Sequence, residues 1–140
     1  MDIAVYYEFL SRQIAALSVH ARELRGDNFE ISDLYFLGGA NTLRGYRENQ
    51  FSGNRVLWSN LEYRYLLTKR TFAFLFFDTG YYLRNENALY DIEKTSAFKT
   101  GYGFGLNIET SLGILGVSFA LGNGDSFSEG KIHFGIVNEF

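Results

Sequence analysis

The sequence predicts an all-β fold, an antiparallel meander of six to seven strands. Three observations predict it. Apolar and polar residues alternate with a period of two through most of the 140 residues, the mark of a sheet with one greasy and one polar face. Phe and Tyr are abundant, at 14 and 10, while proline is absent, which suits strands and tight turns better than helices. The links between alternating segments are by turns short and long, which places the tight turns at one end of the sheet and the long loops at the other.

Taken in order, Asp2 to Phe9 reads as part of a strand, and Leu10, Ser11 and Arg12 as a short turn. Gln13 to Arg25 sets Ala15, Leu17, Val19 and Ala21 on one face, and Ser18, His20 and Arg22 on the other. Val56 to Leu67 alternates Leu57, Leu61, Tyr63 and Tyr65 against Trp58, Asn60, Glu62 and Arg64. Thr68 to Arg70 turns the chain into Thr71 to Leu83, where Ala73, Leu75, Phe77 and Tyr81 oppose Phe72, Phe74, Phe76, Asp78 and Gly80. Arg84 to Thr100 reads as a second, longer polar loop. In Gly101 to Leu112, bulky Tyr102, Phe104, Leu106 and Ile108 stand against small or polar Gly101, Gly103, Gly105, Asn107 and Glu109. Residues near Gly113 turn, and Ile114 to Gly122 repeats the contrast. Gly124 to Gly130 is a loop, and Lys131 to Phe140 closes the chain with Ile132, Phe134, Ile136 and Phe140 on one face.

The remaining segment, from about Gly26 to Asn54, is a long connection, and long connections in compact domains tend to be functional. It is also apolar enough, through Phe29, Ile31, Leu34, Tyr35, Phe36 and Leu37, to pack against something. At its centre stands Gly38, Gly39, Ala40, Asn41, Thr42, Leu43, Arg44, Gly45, Tyr46. Its glycines permit tight folding and close approach to other backbone. Two readings are open on spacing alone: a solvated hairpin whose arginine meets water, or a loop tucked back into a barrel with Arg44 near its tip.

Strands of about 9–12 residues match a tilted crossing of a bilayer. With short turns at one rim and long loops at the other, they describe an outer-membrane barrel whose greasy faces meet lipid and whose Gly, Ser, Asn and Glu faces line the interior. A soluble sandwich would also need one apolar face. The membrane reading is favoured because the opposite faces read as glycine-rich or charged, and because the chain ends on an aromatic directly after a strand. Six or seven strands are too few to close such a barrel, since open edges in lipid leave backbone groups unpaired. Either several chains contribute strands or, the favoured expectation, the chain, residues 1–140, is the C-terminal portion of a larger barrel whose remaining strands come from the parent chain. No apolar run approaches the ~20 residues of a membrane helix, and the N-terminus lacks the pattern of a secretion signal. A net charge of −3 gives no field for nucleic acid. Cysteine is absent, and His20 and His133 lack ligand spacing, so no metal or cofactor is expected. No nucleophile and base are suggestively spaced, and no enzyme activity is expected.

The stretch Leu43-Arg44-Gly45-Tyr46, preceded by Gly38 and Gly39, resembles the outer-membrane protein assembly and translocation superfamily, the Bam/Tam-type or bacterial surface antigen barrels. Their hallmark is an arginine-glycine-aromatic motif on a loop folded into the barrel. Leu61-Glu62-Tyr63-Arg64 looks like the strand after that loop, and Phe76-Phe77-Asp78-Thr79-Gly80 looks like the family's Phe-x-Asp-x-Gly strand. The stretch from Gly101 to Phe140 looks like its last three strands. The resemblance implies a barrel of about sixteen strands in the bacterial outer membrane that inserts or translocates unfolded outer-membrane or secreted polypeptides. It implies that Arg44 meets an interior carboxylate, Asp78 first and Glu62 second. It implies that the terminal strand, with Gly135, Ile136 and Phe140, pairs only weakly with the barrel's first strand, forming a lateral seam, and serves as a sorting signal. Asn138 stands where that signal usually carries an apolar residue. Related barrels can also carry a patatin-like lipase, so a secretion barrel with an appended enzyme is the alternative, beside a passive structural or soluble barrel.

Overall fold

The alternation folds, in a computed structural model, into one open antiparallel sheet. Residues 1–25, 33–86 and 93–137 are described, Val137 by its backbone only. The strands are β1 (Asp2–Leu10), β2 (Gln13–Glu23), β3 (Tyr35–Leu37), β4 (Phe51–Gly53), β5 (Arg55–Leu66), β6 (Phe72–Arg84), β7 (Thr95–Thr110), β8 (Gly113–Gly122) and β9 (Lys131–Val137). Seven of them form the sheet in the order β1-β2-β5-β6-β7-β8-β9. Each pairs antiparallel with its neighbours in that order. The all-β meander expected from the period-two pattern is the observed fold.

Register decides which side chains share a face. Leu17 stands opposite Leu61, Leu61 opposite Phe77, Phe77 opposite Tyr102, and Tyr102 opposite Leu121. These residues belong to the outer face. Leu75, Phe77, Phe104, Ile132, Phe134 and Ile136 are among its exposed members, and Phe134 is 69% exposed. Exposed apolar side chains on β1, β2, β5, β6, β7 and β9, with the half-buried Leu115, Val117, Phe119 and Leu121 of β8 between, make one continuous band. A water-soluble monomer rarely presents a contiguous apolar surface of that extent.

The inner face holds the buried residues: Ser18, Glu62, Phe72, Phe74, Phe76, Asp78, Ser118 and Ala120. Here the expectation of a small or polar lining needs one correction. Phe72, Phe74 and Phe76 pack with Ala120 into an aromatic cluster on the inside of β6. The rings have cations to hold. The Arg44 guanidinium lies 3.9 Å from the Phe76 centroid and that of Arg64 4.7 Å from the Phe72 centroid, the face-on geometry that an aromatic quadrupole favours.

Two boundaries also differ from the sequence pattern. β7 begins at Thr95, within the stretch expected to be loop, because β6 offers it a partner along its whole length, from Phe72 opposite Asn107 to Arg84 opposite Thr95. In the long 26–54 connection, β3 and β4 pair as a separate hairpin, Tyr35 opposite Gly53 and Leu37 opposite Phe51. Leu37 packs on Val56 and Trp58, with Phe51 and Tyr82 against them. That is where the connection's apolar side chains go, and it fixes the stem from which the loop tip projects across the inside of the sheet.

Candidate functional site

The site is the tip of that loop and the floor of strands beneath it. Leu43 is fully buried, and its side chain lies over Gly80 of β6, where a Cβ would stand 3.1 Å from Leu43 Cδ2. The Thr42 carbonyl accepts a hydrogen bond from Asn60 Nδ2 of β5 at 2.8 Å. Within the loop, Gly38 N–H donates to Thr42 Oγ1 at 2.9 Å and Gly39 N–H to the Leu43 carbonyl at 3.0 Å.

Arg44 then turns down onto two carboxylates. Its Nε donates to Asp78 Oδ2 at 2.7 Å and its Nη2 to Asp78 Oδ1 at 2.7 Å, the bidentate fork that the planar guanidinium is built for. Its Nη1 donates to Glu62 Oε1 at 2.6 Å. The Arg44 backbone N–H adds a fourth bond, to Asp78 Oδ2 at 3.1 Å. Arg44 is 7% exposed, Glu62 5% and Asp78 0%. Desolvation by burial works against the charged guanidinium. The Asp78 hydrogen bond and the charges of Asp78 and Glu62 outweigh it and raise the arginine above its ordinary value. Arg64 joins the other side of Glu62, Nε to Oε2 at 2.8 Å. Two arginines and two carboxylates balance in charge, so each buried carboxylate is answered. Asp78 sits mid-strand in β6, opposite Asn60 and Gly101, and does not cap a strand end.

The next residues reach the last three strands. Gly45 has φ +99°, and a Cβ there would come within 2.9 Å of the Leu121 and Gly122 backbone of β8. A Cβ on Gly101 of β7 would collide with the Arg44 carbonyl. Gly101 and Gly122 face each other in register, so the two glycines form a shallow track in which the loop backbone lies. Gly45 N–H donates to His133 Nε2 of β9 at 3.1 Å. Tyr46 Oη donates to the Thr100 carbonyl at 2.8 Å and receives the Asn123 N–H at 2.9 Å. Burial raises the Tyr46 phenol. From Thr42 to Tyr46, five residues touch β5, β6, β7, β8, β9 and the β8–β9 loop.

Of the residues singled out in the sequence, Gly38, Gly39, Leu43, Arg44, Gly45, Tyr46, Glu62 and Asp78 come together here. Gly135 of β9 stands opposite Gly116 of β8, with nothing within 4 Å of where its Cβ would be. Ile136 is exposed on the outer face. Both border a cavity beside the loop tip, and Phe140 and Asn138 lie outside the described residues. Sequence reasoning missed His133, Asn60 and Asn123, which carry no motif, and Asn54, whose backbone and side chain tie the loop's exit to Leu24, Leu83 and Asn85. It registered the glycines of β7 and β8 as a face without seeing that a loop would fill it. The cavity beside the loop tip, of about 380 Å³, has a mixed lining that includes Ser18, Asn41, Asn60, Glu62, Phe74 and Val117.

A family model for the Omp85 superfamily domain matches residues 3–140. Among curated proteins, "Outer envelope protein 39, chloroplastic" of Arabidopsis thaliana is 29% identical over 109 residues, which cover 74% of this chain and 29% of the relative. The chain thus spans less than a third of that relative's length. The match over nearly all of its residues, on a sheet that carries its apolar side chains outward, identifies the family: the chain belongs to the Omp85 superfamily.

Proposed function

We propose that this chain is the C-terminal part of a larger transmembrane barrel of about sixteen strands that inserts or translocates polypeptides at an outer membrane of bacterial type. The supporting observation is the clasp at the loop tip. A buried arginine bound to two inner-face carboxylates places a loop inside a sheet whose outer face is apolar and exposed. The sheet ends in two edge strands, β1 and β9. Open edges are not tolerated in lipid, so further strands complete the wall.

In this reading the Arg44 loop braces the barrel from within and holds β5 to β9 in one curvature. β9 forms the lateral seam. A client strand adds to the freed edge by main-chain hydrogen bonds, the mode of β-augmentation, while lipid contacts the outer band. The clients are unfolded outer-membrane or secreted polypeptides. The test is insertion of a client barrel into vesicles by the intact protein carrying Phe134→Cys on β9 and a cysteine at the facing position of the barrel's first strand, which lies outside this chain. Oxidation should stop insertion and reduction restore it. Undiminished insertion by the oxidised protein would remove the seam from the mechanism.

A further inference from the structure

The seam reading leaves open what holds β9 in place. Its ladder joins it to β8 alone among the described strands, from Lys131 opposite Ala120 to Val137 opposite Ile114. Its outward residues Ile132, Phe134 and Ile136 are each more than two-thirds exposed, so they add little packing within the chain. Inward, His133 stands opposite Ser118, and its Nε2 receives Gly45 N–H, 88 residues earlier in sequence. That bond ties β9 to the same five residues that Arg44 clamps to β5 and β6. Gly45 is itself wedged over the β8 backbone with φ +99°, so its N–H has a fixed direction. An acceptor on β9 must come to it.

We propose that His133 is a positioning residue of the terminal strand: its Nε2 lone pair registers β9 against the loop tip, and β9 leaves β8 only when the Gly45–His133 bond breaks. The inference rests on the seam reading for its purpose and on the observed geometry for its substance. As an acceptor, the ring carries its proton on Nδ1. Charged groups close enough to act on it are Arg44, Lys131, Glu48 and Asp78. The loop and the strand are then coupled in both directions, the coupling free energy being the same whichever of the two is perturbed.

Amide hydrogen exchange in β9, compared with β5 in the same intact protein in lipid, tests this. His133→Leu removes the acceptor. His133→Asn places a carbonyl where Nδ1 was, short of Gly45. His133→Gln places one near the former Nε2. The expected result is about three- to tenfold faster exchange in β9 for the Leu and Asn variants, the loss of one neutral hydrogen bond, with β5 unchanged and the Gln variant close to wild type. If Gln exchanges as fast as Leu and Asn, bulk rather than the acceptor matters and the proposal fails. It fails equally if none of the three changes β9. Exchange reads strand protection without any client, so a lock of β9 to the barrel's first strand that leaves insertion intact would overturn the seam while leaving this result standing.

Discussion

Arg44 can do three things at once that no other side chain could do at its position. It chelates Asp78 with two parallel bonds, reaches Glu62 with a third, and lays its plane on Phe76. Lysine offers a point charge with neither fork nor plane. Arg44→Lys should therefore behave closer to Arg44→Ala than to wild type. Removing either partner of a buried pair costs about 3–5 kcal/mol, and limited proteolysis within the 38–50 loop of the folded barrel would register it as increased cleavage. The paired reversal Arg44→Asp with Asp78→Arg should recover part of what either single reversal loses. A double variant no better than the singles would show that the contact does not bear on the fold. The Arg44–Asp78 contact was legible in the sequence because motif residues carried it. Glu62 was legible through strand parity. His133, Asn60 and Asn123 were not, because single polar residues on alternating strands look alike until register sets one of them beneath a given loop atom.

At the scale of elements, the glycines of β7 and β8 acquire their reason from the loop. Gly101 and Gly122 were visible as the small side of two alternating strands. Only the packed loop shows that the missing side chains are replaced by the Arg44 carbonyl and the Tyr46 ring. Gly101→Ala should thus mimic a clasp mutation although residue 101 makes no polar contact through its side chain. The expected outcome is a loop as protease-sensitive as in Arg44→Ala, with β6–β8 amide protection retained. Ordinary protease resistance in Gly101→Ala would mean that the loop can ride up without cost. The start of β7 was misread because the six residues from Thr95 to Thr100 are mostly polar, and what makes them strand is the length of β6 beside them. Pairing with a long neighbour overrode local composition, as it often does for edge-on ladder extensions. The β3–β4 hairpin was hidden for a related reason: three-residue strands are too short to show a period.

For the molecule as a whole, the account requires that the outer band lie in acyl chains and that the loop-bearing side enclose a protected interior. Charges placed on the outer band should then hurt in proportion to depth. Phe104→Arg should destabilise the membrane-inserted barrel by about 2–4 kcal/mol if it lies near the midplane, and less toward either rim, as measured by denaturant unfolding in vesicles. The fold class was readable because a membrane sheet writes its two faces into the sequence at period two. Closure was not, because a sheet's strand order says nothing of strands outside it. The most direct measurement uses tryptophan fluorescence in vesicles containing brominated lipid. Trp58 is the single tryptophan of this chain and is buried on the inner side of β5. In the intact protein, with tryptophans elsewhere replaced by phenylalanine, Trp58 should escape quenching, whereas a tryptophan at position 104 in a Trp58→Phe background should be strongly quenched. Quenching of Trp58, or a position-104 tryptophan untouched by bromine, would contradict the account.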